Sequence, residues 1–409
     1  MEIDQRDIDR LLLCYRDELK EELKNILVYW STQPLDKEHG GFYGRIGCNG
    51  RADPAATKGA VLHARILWTF SAACSHTKDP SLLPFADRAY HYIIDHFIDK
   101  KNGGVIWRVY YDGKPADTKK QVYAIAFAIY ALSEYYRVTQ NEEVKDLAIH
   151  LFELIEEHAH DSVYGGYMEA LTADWKPLDD LRLSMKDENE KKTMNTHLHV
   201  LEAYTSLYNI WPDKKLKQQL QSLLQHFLKQ IINPQTHHLH LFFTEQWELR
   251  SYLVSFGHDI EASWLLAEAA EVAGDRALQQ KINSTGLSIA MSAKEGLDTD
   301  GGLFYESVPS EKKWIKEKHW WPQAEAMIGF FHAWEISGDR EWLYHSIHSW
   351  EFVKERLLDK QNGEWFWGID EKGMVMENED KAGFWKCPYH NSRACMEIIS
   401  RIDAIRVNR

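Results

Sequence analysis

Cysteine is scarce in this 409-residue chain. Cys14, Cys48, Cys74, Cys387 and Cys395 are odd in number, scattered, and form no CxxC pair. They offer no disulfide framework, so a reducing, cytoplasmic compartment is expected. Long hydrophobic runs are missing as well: no stretch approaches 18 uncharged apolar residues, which leaves no membrane-spanning segment. Met1–Arg6 is charged and has no apolar h-region, so no secretory signal is expected. Basic charge is in deficit, with 48 Lys and Arg against 62 Asp and Glu and a net charge of −14. That balance disfavours nucleic acid and anionic membrane as partners. Pro/Ser-rich linkers and low-complexity runs are absent. Although the length alone suggests two or three domains, a single domain over 1–409 is expected. GxGxxG, GxxxxGK[ST], HExxH and GxSxG do not occur, and no cysteine sits in a nucleophile context.

Aromatic residues, by contrast, are abundant. They make up 12% of the chain, with 16 Trp and 19 Tyr. A large core would use them, and so would a carbohydrate site, because sugar C–H faces stack on aromatic rings. Their arrangement is periodic. Glycine pairs beside aromatics recur at His39–Tyr43, Asn102–Trp107, Tyr164–Tyr167 and Asp300–Tyr305, with a close relative at Asn362–Trp367. The spacing is 62 or 63 residues, and the one longer gap holds a degenerate copy at His238–Phe243. Six copies of one unit imply an array or a ring.

Each signal is followed by a helical pattern that is apolar nearly all round. The six patterns run over 58–74, 120–139, 193–211, 258–273, 320–337 and 389–401. Helices of that kind are buried. Between each and the next signal lies a more amphipathic helix, such as Leu216–Ile231 or Leu147–His158. Twelve helices of two kinds predict an (α/α)6 barrel, an all-α toroid of six helical hairpins with short hairpin-like loops at one end. A straight solenoid is the alternative, but no polar capping repeat is visible. A ring that closes on itself predicts a monomer and an axial ligand pocket.

Polar residues that interrupt the inner helices mark the candidate site. On the third helix Asn195, His199 and Glu202 share a face, while His197 points elsewhere. His258 and Glu261 open the fourth, Trp321 and Glu325 are i, i+4 on the fifth, and His390, Arg393 and Glu397 share a face of the sixth. Arg65 and Tyr123 stand out on the first two. Any one of these fits a hydrogen-bonded core residue, but histidines at corresponding places on three helices predict a shared pocket. His238-Leu239-His240 is a metal-like pair only if it is extended. Carboxylates that an inverting glycoside hydrolase would need exist in Asp259, Glu261, Asp300 and Glu325. Histidine dominates, however, and neutral imidazole suits reversible proton transfer near neutral pH. Two histidines facing one carbon could remove a proton α to a carbonyl and return it on the other side.

Four segments carry a family resemblance: Lys191–Tyr204, Gly257–Trp264, His319–Glu325 and Phe384–Asn391. In order and content they resemble the cellobiose 2-epimerases of the wider N-acylglucosamine 2-epimerase family, and the likeness runs end to end. The resemblance implies an (α/α)6 barrel that interconverts 2-epimers at the reducing end of β-1,4-linked disaccharides, with no metal or nucleotide cofactor. Cellobiose would give glucosyl-mannose and lactose would give epilactose. It further implies that His258 and His390 are the acid/base pair at C2 and that His199 assists ring opening. Arg65, Tyr123, Asn195 and Glu261 would hold sugar hydroxyls. Trp321 and Trp385 would stack, and Asp187, Tyr305 and Glu325 would complete the substrate contacts. An aldose–ketose isomerase or an N-acylglucosamine 2-epimerase of the same fold is the nearest alternative. A hydrolase using Asp259 or Glu325 and a non-catalytic binding toroid are more distant ones.

Overall fold

Alanine-rich helices that are apolar on every face pack closely only if something else covers them, and here a second ring does. The computed structural model describes residues 5–407. Met1–Asp4, with the start of the segment read for a secretory signal, and Asn408–Arg409 lie outside the described residues. The inner ring consists of α2 (Ala60–Thr77), α4 (Val122–Thr139), α6 (Met194–Ile210), α8 (Phe256–Ala273), α10 (Trp320–Ser337) and α12 (Tyr389–Val407). The outer ring consists of α1 (Gln5–Trp30), α3 (Leu83–Tyr92), α5 (Glu142–His158), α7 (Lys214–His226), α9 (Arg276–Ala293) and α11 (Arg340–Arg356). Each inner helix touches the next, and α12 returns to α2. The ring is closed, so the expected (α/α)6 barrel is the fold and the solenoid is not. Among the described residues no helix is long and apolar enough to cross a membrane.

The reason for the two rings is in the burial. On α2 every residue from Ala60 to Ala73 is buried, and on α4 every residue from Val122 to Tyr135. The outer helix α7 buries only Leu216, Leu220, Leu223 and Leu224, a single stripe at helical spacing. α2 and α4 start two residues later than their apolar patterns and α6 one later, whereas α8 starts two residues earlier. Lys58–Gly59 and Lys120–Gln121 are taken up by short strands instead.

The aromatic loops build one end of the barrel. Each is closed by the same antiparallel bridge, Leu35 with Phe42, Ile98 with Val105, His160 with Tyr167, Ile232 with Leu239, Leu297 with Leu303 and Leu358 with Trp365. The degenerate fourth copy therefore folds as the others do. The residues after each loop then pair with the strand that precedes an inner helix, as Arg108–Val109 does with Lys58–Gly59. Ile46 pairs with Ala382 and closes this circle too.

Two devices hold the loops to the helices. One is a buried lysine before the inner helix that bonds an aspartate of the loop: Lys58 to Asp36 at 2.7 Å, Lys120 to Asp99 at 2.6 Å, Lys192 to Asp161 at 2.7 Å and Lys318 to Asp298 at 2.7 Å, with Lys381 and Asp359 the fifth such pair. The other is a polar side chain on the inner helix that accepts the N–H just after the glycine pair. His63 takes Phe42 N at 3.3 Å and His197 takes Tyr167 N at 2.9 Å. His197 is thus a structural residue, which fits its divergence from His199. The latch needs glycine opposite it. At Gly166, where φ is +78°, a Cβ would lie 2.6 Å from His197 Nε2 and 2.5 Å from the Trp247 ring. Gly166→Ala is expected to cost at least about 1–3 kcal/mol in urea unfolding, the range for a non-glycine forced to positive φ. A loss under a few tenths would mean the latch is dispensable.

Candidate active site

The N-terminal ends of the inner helices, ringed by these loops, enclose a cavity of about 510 Å³. That is ample for a small ligand. His199, His258 and His390 all line it. So do Arg65, Tyr123, Asp187, Asn195, Glu261, Tyr305, Trp321 and Trp385. Glu325 does not. It is fully buried one layer behind His390, so its expected place among the substrate contacts is corrected to a supporting one.

Each of the three histidines has its Nδ1 tied down. His390 Nδ1 meets Glu325 Oε1 at 2.7 Å, His199 Nδ1 meets Glu202 Oε2 at 2.9 Å, and His258 Nδ1 meets Ser255 Oγ at 2.8 Å. A carboxylate only accepts, so His390 and His199 carry their proton on Nδ1 and present a bare Nε2. Ser255 either donates or accepts, which leaves both tautomers open to His258. Among the described residues no hydrogen bond to Nε2 of any of the three is found. Burial holds all three rings neutral. His258 is pushed down to about 3, and His199 and His390 also lie below the ordinary value. For His390 the nearby Arg65 and Arg393 add to the effect of burial.

Trp321 packs near two of the histidines. Its ring centroid is 4.7 Å from His258 and 5.7 Å from His390. Gly257 makes room for it, since a Cβ there would lie 2.5 Å from the indole. On another wall Tyr123 packs 5.0 Å from His199 and 6.0 Å from Trp385. Arg65 donates to the Tyr123 hydroxyl at 2.8 Å and lies over the Phe127 ring at 4.3 Å.

Beneath the cavity a buried network holds this geometry. The Arg393 guanidinium donates to Glu261 at 2.8 Å, to Glu325 at 2.6 Å, and to Glu202 and the Tyr389 hydroxyl. Burial alone would raise the Glu202 carboxyl, but Arg393 and His199 hold it down at about 2. Burial and mutual repulsion raise Glu261 against the pull of Arg393. Donor atoms of Glu261, Glu325 and His390 lie within 4.8 Å of one another, a metal-like cluster. The positive charge it calls for is supplied by Arg393. The His238–His240 pair is not a joint donor set either: His238 bonds Asp259 at 2.7 Å, whereas His240 faces Phe243.

Several lining residues lack a sequence signal. The segment from Arg182 to Glu188 forms part of the wall. It has no periodicity, and it is placed by Gln121 and Lys119, which donate to the carbonyls of Leu181 and Arg182. Asp187 belongs to it and accepts from Ser184 N at 2.8 Å. Glu306 and His319 come from short strands and Trp367 from the last aromatic loop; His319 and Trp367 sit in segments marked above but were not singled out, and the His319 ring stacks on Tyr305 at 4.0 Å. Glu169 is buried in the wall and accepts the Thr193 and Thr196 hydroxyls at 2.7 and 2.8 Å. Burial pushes its carboxyl up to about 7. A folded value above the unfolded one costs nothing below the unfolded value; the penalty grows as pH rises from the unfolded to the folded value and is complete above it. Glu169→Gln should therefore stabilise the protein by about 3 kcal/mol at pH 8 and by almost nothing at pH 4.5. Equal melting temperatures for the two proteins at pH 8 would contradict this.

The sequence model of the N-acylglucosamine 2-epimerase (GlcNAc 2-epimerase) family matches residues 41–394. The chain belongs to that family. Among its relatives, a cellobiose 2-epimerase of Bacteroides fragilis is 49% identical over 94% of this chain and 98% of its own. One of Dictyoglomus turgidum is 37% identical over 96% of this chain and all of its own. The structure of cellobiose 2-epimerase from Spirochaeta thermophila superposes with a TM-score of 0.91 at 38% identity, covering 97% of this chain and 98% of the other. This family assignment agrees with the likeness carried by the four segments. A D-mannose isomerase, at 21% identity and a TM-score of 0.83, shares the fold.

Proposed function

We propose that the protein reversibly epimerises C2 of the reducing-end sugar of β-1,4-linked disaccharides such as cellobiose, lactose and mannobiose. It would act as one catalytic domain, monomeric and cytoplasmic, with no cofactor. The observation that carries this reading is the pair of neutral imidazoles, His258 and His390, both lining one cavity and both packed near Trp321, each anchored through Nδ1 with no hydrogen bond to Nε2 among the described residues.

The chemistry follows from that geometry. His199 assists opening of the sugar ring, which frees the C1 carbonyl and acidifies the C2 proton. One of His258 and His390 takes that proton through Nε2 and leaves a cis-enediolate. Arg65 and the Tyr123 hydroxyl, already joined, face the cavity where its charge develops. The intermediate turns, the other histidine protonates the opposite face, and the ring closes. Neutral imidazole is the form the first step requires, and burial supplies it. Trp321 and Trp385 offer flat faces for the sugars, and Asn195 and Glu261 offer polar atoms for hydroxyls.

A hydrolase reading is disfavoured by where its carboxylates are. Asp259 is buried and engaged by His238 and Leu239 N, and Glu325 is engaged by His390, Arg393 and Trp264. Incubation with cellobiose, lactose and β-1,4-mannobiose in D₂O tests the proposal. The expected products are the 2-epimers, with deuterium at C2. Release of monosaccharide, a ketose as main product, or absence of C2 exchange would each overturn it.

A further inference from the structure

The fourth repeat departs from the other five in a linked way. It has Asn233 where the others have a loop aspartate, and no lysine before its inner helix. Its loop carries His237-His238 where two glycines stand at Gly40-Gly41 and Gly165-Gly166, and His237 keeps the positive φ of the first glycine at +59°. The helix position that holds His63 and His197 elsewhere holds Asp259. These changes belong together. A side chain at Gly166 would collide with His197, so a histidine in the loop requires a shorter group on the helix. Asp259 is that group. It accepts Leu239 N at 2.8 Å, as the histidines do in their repeats, and also meets His238 Nδ1 at 2.7 Å.

The repeat has thus exchanged a lysine–aspartate tie, which does not titrate near neutrality, for a histidine–aspartate tie, which does. Asp259 directly follows His258 in the first turn of α8. The other side of the same loop reaches the cavity, because Leu241 and Phe242 line it. We propose that Asp259 and His238 are positioning residues for His258, and that the proton on His238 sets how firmly the first turn of α8 is held. This rests on the reading of His258 as an acid/base group.

The charged groups around the pair can be named. His238 faces Asp259 on α8 and, at 3.6 Å, Glu295 in the turn after α9. Lys294 beside it is turned to Glu341, and His237 and His240 are its neighbours in the loop. Burial pulls His238 down, but Asp259 and then Glu295 bring it above its ordinary value. Burial raises Asp259, partly offset by His238. For a histidine whose folded value is raised, the stabilisation is complete at low pH and is lost as pH rises through that value. The tie should therefore loosen on the alkaline side of the ordinary histidine range.

The test is a pH titration of the ring nitrogens of the full-length protein by NMR with ¹⁵N-labelled histidine. His258 is assigned with His258→Gln and His238 with His238→Asn, which keeps a neutral donor at the place of Nδ1. The His258 signals are expected to shift with the midpoint of His238 and to lose that inflection in His238→Asn. Turnover should fall about fivefold across the same range in the native protein, the difference between a charged and a neutral hydrogen bond, with KM steady and the fall absent in His238→Asn. Should His238→Asn not fold, the native titration still decides. His258 signals without an inflection other than their own overturn the proposal, as does one that persists in His238→Asn. The NMR result does not use activity, so it stands or fails separately from the epimerase reading.

Discussion

Replacing His390 by alanine should lower kcat for cellobiose by about 10²- to 10⁴-fold, the usual contribution of a positioned acid/base group, with KM little changed. The ring lies at the cavity wall with Nδ1 held by Glu325, so its removal deletes a proton carrier rather than a sugar contact. A second readout separates this from general damage. With His258 still in place, one face of C2 keeps its base. In D₂O one of the two epimers, whichever presents its C2 proton to His258, should then gain deuterium at C2 although the other does not accumulate. His258→Ala should show the same split for substrate entering from the other epimer. Glu325→Gln should be milder than His390→Ala, because the amide still offers an acceptor oxygen to Nδ1. Its loss should be in kcat, since Glu325 does not reach the cavity. Full epimerase activity in His390→Ala would remove the two-base mechanism.

The sequence made the scaffold readable for a simple reason. A helix such as α4, with Val122 to Leu132 apolar on every face, has no solvent side, and six of them can be buried together only inside a second layer. The site was readable where polar groups interrupt such helices: His199, His258 and His390 stand out because polar side chains are few there and an imidazole recurs at corresponding places on three of them. Depth was not readable. Trp321 and Glu325 share a face of α10, but Glu325 is a turn further from the cavity, and periodicity gives a direction around a helix and not a distance along it. The lysine–aspartate ties were missed because Lys58 or Lys192 looks like any solvated charge until the partner, about 20 to 30 residues earlier, is seen beside it. Of the wall from Arg182 to Glu188 only Asp187 was named, through the family resemblance; the rest was missed because long-range bonds from Gln121 and Lys119 place it, and no local pattern marks such bonds.

Arg393 should prove the least replaceable residue for stability. Its side chain is fully buried, stacks over Tyr389 at 4.2 Å and Trp264 at 4.9 Å, and is bonded to Glu202, Glu261 and Glu325. A methionine there keeps much of the volume and removes the positive charge bonded to three buried carboxylates. Breaking a buried pair in this way costs about 3–5 kcal/mol. The pH dependence gives the cause a signature. Without the guanidinium, burial and repulsion raise the three carboxyls above their unfolded values, so the folded state takes up protons. The penalty is then small at pH 5 and grows as pH rises through the raised values. Urea unfolding of Arg393→Met should show a larger deficit at pH 8 than at pH 5, whereas a packing defect would be equal at both. Arg393→Lys should recover little, since one ammonium cannot span carboxylates that the planar guanidinium reaches through two nitrogens. Epimerase activity should fall with the network even under conditions where the variant is folded. Glu325, released from Arg393, no longer fixes the His390 ring, and the base at C2 loses the alignment on which proton transfer depends.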